Sequence, residues 1–178
     1  MLSLRVESLA GTHAVAAAVA SSARAGDIIA LAGEMGAGKT AFAQGFGRAL
    51  GITDPMTSPT FTLVHSYPCP GGRLTLHHAD LYRLERTGDV ADLALHELAE
   101  FGGIVLVEWG DVAAAGLGDH LEIRFLHDDR PDDPDDGDEA NGLDAVLDEA
   151  RLIELHATGG SWAGRWHRLE HDLAAYRC

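Results

Sequence analysis

The sequence predicts an α/β fold of the P-loop NTPase kind: three layers, a mixed and mainly parallel central sheet, and a β-hairpin. Three observations predict it. Two short apolar runs, at 28–32 and 104–107, have the character of strands buried on both faces. The first leads directly into the octamer GEMGAGKT at 33–40 and then into a helical stretch, so strand, glycine-rich loop and helix follow in order. Two alternating runs, at 60–67 and 74–80, are joined by a turn at 68–72 too short for a crossover helix, and therefore pair as a hairpin.

The remaining elements follow along the chain. Residues 2–6 alternate apolar and polar, as an edge strand does. An Ala- and Val-rich run at 12–24 reads as a helix with Thr12 as its N-cap, broken at Gly26-Asp27. Residues 40–50 read as the helix after the loop, stopped by Gly51. A loop with two prolines covers 52–59. Residues 90–101 have the spacing of an amphipathic helix, and 121–126 and 151–156 read as strands, before a terminal helix at 161–176. The stretch DDRPDDPDDGDE from Asp128 lacks the apolar residues needed to offset its ordering entropy, so 128–142 reads as a disordered acidic insertion. It lacks the EF-hand spacing with its closing Glu, which disfavours a calcium loop. A single domain over 1–178 accommodates all of this.

Composition narrows the function. No apolar run is long enough to cross a membrane, and no basic segment precedes an apolar one at the N-terminus, so a secretory signal is not expected. Cys69 and Cys178 form no C-x-x-C pair, and a cytoplasmic location is expected. A net charge of −15 argues against broad, direct nucleic-acid binding, which requires clustered Lys and Arg. Every basic residue but one is arginine, and the single lysine is Lys39, within the octamer.

Gly33, Glu34, Met35, Gly36, Ala37, Gly38, Lys39 and Thr40 fit G-x-x-x-x-G-K-[ST] in full. The glycines let successive backbone N–H groups turn inward around a polyphosphate, and the following helix, from Thr40 and Ala41 onward, aims its N-terminal dipole at the same anion. Lys39 supplies a point charge for the β and γ phosphates, and the Thr40 hydroxyl suits Mg²⁺. Glu108 ends the second apolar run and is the best Walker B acid, although it is Glu rather than Asp and precedes Trp109. Thr60, in Ser58-Pro59-Thr60, sits where a switch threonine would sense the γ-phosphate or Mg²⁺. His78 and Asp80 share one strand face and His77 the other; Asp80 is the better helper to metal or water. Arg83 and Arg86 have the length to reach phosphates, but pairing with Glu85 or Asp89 competes.

A small GTPase would need an Asn/Thr-Lys-x-Asp motif, which a chain whose only lysine is Lys39 does not contain. A P-loop small-molecule kinase and a non-enzymatic nucleotide-gated module remain as alternatives. GEMGAGKT, SPTFTLVHSY, HADLYRLE and VEWGD, in that order and spacing, resemble the TsaE (YjeE) family over about residues 12–125, with a weaker recurrence at 151–162. The acidic insertion is not part of the family pattern. The resemblance implies an ATPase, weak alone and stimulated by partners, with ATP and Mg²⁺ as cofactors. It also implies a role in threonylcarbamoyl modification of the tRNA adenosine beside the anticodon, together with TsaB and TsaD. By motif, Lys39 corresponds to the phosphate-binding lysine, Thr40 and Glu108 to the Mg²⁺ ligands, Thr60 and Asp80 to residues needed for activity, and Trp109 to a tryptophan beside the site.

Overall fold

A computed structural model describes residues 1–59, 63–82, 94–110, 116–128 and 150–178. Its strands are β1 (Leu2–Val6), β2 (Ile28–Ala32), β3 (Val64–Pro68), β4 (Thr75–Asp80), β5 (Gly103–Glu108), β6 (His120–His127) and β7 (Arg151–Thr158). The α-helices among the described residues are α1 (Leu9–Ser22), α2 (Lys39–Ala49), α3 (Leu95–Glu100) and α4 (Trp166–Asp172).

The strands form one sheet in the order β1-β7-β6-β2-β5-β4-β3. Its centre is parallel: β2 pairs with β6 on one side and β5 on the other, and β5 pairs with β4. Its flanks are antiparallel, through the β3–β4 hairpin and the β6–β7–β1 meander. The sequence predicts a mixed, mainly parallel α/β sheet; the sheet is mixed, with its parallel pairings in the centre. Every residue of β2 and β5 is buried, as their uninterrupted apolar character requires.

Alternation along these strands divides the core in two. Ile29, Leu31, Ile104 and Leu106 face a large cluster with Val15, Val19, Phe42, Phe46 and Leu169 from α1, α2 and α4. Ile28, Ala30, Val105 and Val107 face a smaller cluster with Leu95 and Ala99 of α3. The sheet therefore lies between helices on both faces, and α2 is fixed against the face bearing the even-numbered residues of β5.

Several boundaries differ from the sequence reading for identifiable reasons. Helix α1 begins at Leu9 rather than beyond Thr12, because Ser8 caps it: Ser8 is extended and its hydroxyl accepts a hydrogen bond from Gly11 N at 3.2 Å. Thr12 lies one turn inside and is buried. The strand expected at 60–67 is seen as β3 and takes in Pro68; residues 60–62 lie outside the described residues. Of the helix expected at 90–101, Leu95–Glu100 is helical, and 90–93 are not described. Asp128 is held by Arg5, whose Nε donates to its carboxylate at 2.6 Å; residues 129–142 of the acidic stretch lie outside the described residues, as do Arg83 and Arg86.

The terminal helix is interrupted, with 3₁₀ turns at Ala163–Arg165 and Ala174–Tyr176 flanking α4. Arg165 accounts for its placement. Its guanidinium donates from both terminal nitrogens to the carboxylate of Asp27, which is 4% exposed, and also to the carbonyls of Ser22 and Ser161. It stacks 4.0 Å from the Trp162 ring centroid. The C-terminal segment is thus bonded to the turn that starts β2. No helix among the described residues is long and apolar enough to cross a membrane.

Arg165→Ala leaves the buried Asp27 carboxylate without its counter-charge, with the Arg24 amide still donating to it at 2.8 Å, and is expected to destabilise the fold by about 3 kcal/mol in urea denaturation; a loss below about 1 kcal/mol contradicts the clamp. Burial also lowers the pKa of His77, whose Nδ1 lies 2.8 Å from the Ser66 hydroxyl. A folded-state pKa below the unfolded value of about 6.5 means that the unfolded chain takes the proton first. Its contribution is therefore fully present above that pH and is lost as pH falls toward the folded value. The stability difference between wild type and His77→Asn is expected to shrink on titration from neutral pH to about 5.

Candidate functional site

The site lies at the carboxyl ends of β2, β5 and β4. The parallel register sets Asp80 beside Glu108 and Glu108 beside Leu31, so the loop leaving β2 passes directly over both acids. A cleft of about 320 Å³ opens there, lined by Lys39, Thr40, Ser58, Asp80, Glu108 and Trp109 among others.

Two glycines of the octamer occupy positions no other residue would fill without strain. Gly33 has φ +135°, and an added Cβ would lie 2.6 Å from the Phe125 carbonyl oxygen. Gly38, the N-cap of α2, has φ +108°, and a Cβ there would meet the Arg151 guanidinium at 3.1 Å. The chain between them curls back so that its carbonyls can reach Lys39. The ammonium donates to Gly33 O at 2.8 Å and to Glu34 O at 2.7 Å, and sits 3.9 Å from the Trp109 ring centroid. Lys39 is 4% exposed, so these contacts hold its charge largely away from water.

Thr40, on the first turn of α2, donates its hydroxyl proton to Glu108, at 2.9 Å to Oε1 and 3.2 Å to Oε2. His78 reaches the same carboxylate from β4, with Nε2 at 2.9 Å from Oε1. Asp80 is held independently: Oδ1 accepts from Tyr82 N at 2.9 Å, and Oδ2 accepts from the Ser58 hydroxyl. Trp109 takes a positive φ of 60° directly after β5, which turns its ring over the cleft and 5.0 Å from that of Tyr82.

The structure therefore brings Lys39, Thr40, Asp80, Glu108 and Trp109 into one cleft, with Met35, Gly36, Gly38 and Ala41 also on its wall. Thr60 lies outside the described residues. The residues flanking it, Ser58 and Leu63, are both tied to Asp80, the latter through Asp80 N to Leu63 O at 3.0 Å. Sequence reasoning assigned no role to Ser58, Tyr82 or Arg151, and placed His78 on the face of Asp80 without finding its target. A two-residue period shows which way His78 points; it cannot show that β5 presents Glu108 alongside.

The donor set fits Mg²⁺. A hydroxyl and a carboxylate, both hard oxygens, meet at the helix N-terminus. Among the described residues no group of three or more His, Cys, Asp or Glu is placed to hold a metal ion.

Comparison with known proteins decides the family. The model of the family described as "Threonylcarbamoyl adenosine biosynthesis protein TsaE" matches residues 6–133. The chain belongs to the TsaE family. A Streptomyces coelicolor protein named tRNA threonylcarbamoyladenosine biosynthesis protein TsaE is 36% identical over 142 residues, which is 79% of this chain and 86% of that protein. A Bacillus subtilis protein of the same name is 45% identical over 98 residues, 55% of this chain; the match spans 60% of that relative's length. The crystal structure of Bacillus subtilis YdiB superposes with a TM-score of 0.67 at 30% identity, covering 98% of this chain and 94% of that one. The family match ends within the acidic stretch, yet the fold match continues through β7 and α4.

Within this TsaE-family site, the contact of Lys39 with Trp109 gives an optical test. Adding ATP is expected to draw the ammonium toward phosphate and change tryptophan emission, and Trp109→Phe is expected to abolish that change. An unaltered response in Trp109→Phe would assign it to Trp162 or Trp166 instead.

Proposed function

We propose that this chain binds ATP with Mg²⁺ and hydrolyses it in the cytoplasm, in support of threonylcarbamoyl modification of the tRNA adenosine beside the anticodon, acting on a complex of TsaB and TsaD. The single observation that carries the nucleotide reading is the convergence of Lys39, Thr40, Asp80 and Glu108 on one cleft at the head of α2. The names of the relatives support the pathway.

In this reading the backbone N–H groups of the loop, the dipole of α2 and Lys39 hold the β and γ phosphates. Thr40 and Glu108 hold Mg²⁺, which supplies neutralisation of charge on the phosphate oxygens. Water attacks the γ-phosphorus in line, the bond to the β–γ bridging oxygen breaks, and ADP and inorganic phosphate leave. Asp80, already oriented by Ser58 and the Tyr82 amide, positions the attacking water, with Thr60 as the second group for that task. Trp109 and Tyr82 cover the cleft beside Lys39 and limit access of bulk water.

The strongly acidic chain fits a protein that meets basic tRNA-handling partners rather than tRNA itself.

Two experiments test this. Incubated with labelled ATP, the protein alone is expected to release inorganic phosphate slowly; transfer of label to a metabolite would support a kinase instead. Co-purification with TsaB and TsaD is expected to depend on ATP and to raise the rate of phosphate release. Lys39→Ala is expected to abolish hydrolysis and ATP-dependent association while leaving the fold intact by circular dichroism. Wild-type hydrolysis by Lys39→Ala would refute the site, and association indifferent to ATP would refute the partner.

A further inference from the structure

We infer that His78 is a positioning residue for Glu108: its Nε2–H fixes the carboxylate orientation in which Glu108 serves the metal. The inference rests on the Mg²⁺–ATP reading above and adds to it a residue that touches neither nucleotide nor metal.

Four observations carry it. His78 is fully buried, at 0% exposure, between His77 and Ala79 of β4, with His65 of β3 and Leu106 of β5 as its cross-strand neighbours. Its Nε2 lies 2.9 Å from Glu108 Oε1, and because an ionised carboxylate only accepts, the ring nitrogen is the donor. The ring's other nitrogen, Nδ1, is buried without a hydrogen-bond partner among the described residues. Finally, Oε1 receives both the His78 and the Thr40 protons at 2.9 Å, while Oε2 has only the longer 3.2 Å approach of the same Thr40 hydroxyl.

These facts define a division of labour within one carboxylate. Two short hydrogen bonds from different elements, β4 and α2, immobilise Oε1 and set the plane of the group. Oε2 is left as the less engaged oxygen, facing the hydroxyl that shares the metal. A histidine at this position is a poor choice for stability alone, since a buried polar atom without a partner is unfavourable and an aliphatic side chain would avoid it. What histidine provides that Leu or Met does not is a donor on a rigid ring, reaching across from β4 to the end of β5. Partners that orient metal-binding carboxylates from behind typically govern metal affinity by about 10–100-fold.

The test separates reach from packing. In His78→Gln the amide N–H extends to about the position of Nε2, whereas the His78→Asn amide stops short by one methylene; both are polar and smaller than the ring. ATP affinity is measured by calorimetry in excess EDTA and again in saturating Mg²⁺, and the ratio of the two constants reports metal coupling. The His78 variants are expected to bind ATP in EDTA as the wild type does, because Lys39 and the loop are untouched. His78→Asn is expected to lose about 10-fold or more of the Mg²⁺ enhancement, and His78→Gln to keep most of it. In a Glu108→Gln background, His78→Asn is expected to change the ratio no further.

Equal ratios for wild type and His78→Asn would overturn the inference, as would a Gln variant as impaired as Asn. A wild type whose ATP affinity ignores Mg²⁺ would instead overturn the metal reading on which the inference rests. If His78→Asn does not fold, His78→Leu replaces it; failure of both to fold would make the residue structural and reject the proposal.

Discussion

The shared direction of β2, β4 and β5 is the constraint on which the site depends. Parallel strands end on the same side of a sheet, and here the register sets Leu31, Glu108 and Asp80 in one row across it. A loop that leaves β2 two residues later therefore starts at the same edge of the sheet as two carboxylates. The glycines decide how closely it passes, and Lys39 and Thr40 fall on the first turn of α2 because Gly38 caps that helix in a left-handed conformation. Shifting β5 by one residue against β2 would turn Glu108 to the opposite face of the sheet, away from Thr40.

The same register concentrates ionisable groups where a fold dominated by apolar strands should exclude them. Lys39, His78, Asp80 and Glu108 are all nearly inaccessible. Lys39, Glu108 and Asp80 are tolerated because neighbours satisfy them: carbonyls of the loop for Lys39, Thr40 and His78 for Glu108, Ser58 and the Tyr82 amide for Asp80; among the described residues His78 is satisfied at Nε2 alone, by Glu108. The buried network also joins elements distant in sequence, so α2, β4, β5 and the loop before β3 are coupled through side chains as well as through the sheet. The Asp27–Arg165 pair does the equivalent at the other end of β2, bringing the C-terminal segment under the same strand.

Much of this was readable from residues alone because it is local. The octamer between an apolar strand and a helix announces itself, and Glu108 is marked by terminating the only other run of that kind. The even spacing of His78 and Asp80 correctly put both on one face. What escaped was non-local. The start of α1 was misplaced because Ser8 competes as a cap with Thr12, and only the accepted Gly11 N–H distinguishes them. Arg151 opens a strand far along the chain, and nothing near it in sequence foreshadows its approach to Gly38. Ser58 serves through a contact with Asp80 that depends on how the loop before β3 folds back, whereas the Tyr82 amide meets Asp80 across only two residues. Local pattern determines which face a residue occupies; pairing between distant strands determines what it meets.

The arrangement of Lys39 shows how an ammonium can be held in a buried cleft. An ammonium at 4% exposure without partners would be strongly disfavoured, so the loop offers two of its own carbonyls and the face of Trp109. Charge-assisted hydrogen bonds contribute about 1.5–3 kcal/mol each, and a desolvated cation–π contact about 2 kcal/mol. On the ATP-binding reading proposed above, phosphate would have to exceed that sum, and a polyphosphate would do so by bringing formal negative charge on which the loop N–H groups and the α2 dipole act together. The positive φ of Trp109 fits the same scheme. Backbone strain of about 1–3 kcal/mol is sustained there because the ring covers Lys39 on one side and packs on Tyr82 on the other. On the same reading, drawing Lys39 away from that ring would remove one of the contacts that hold Trp109, so capture of phosphate would act on the aromatic cover as well.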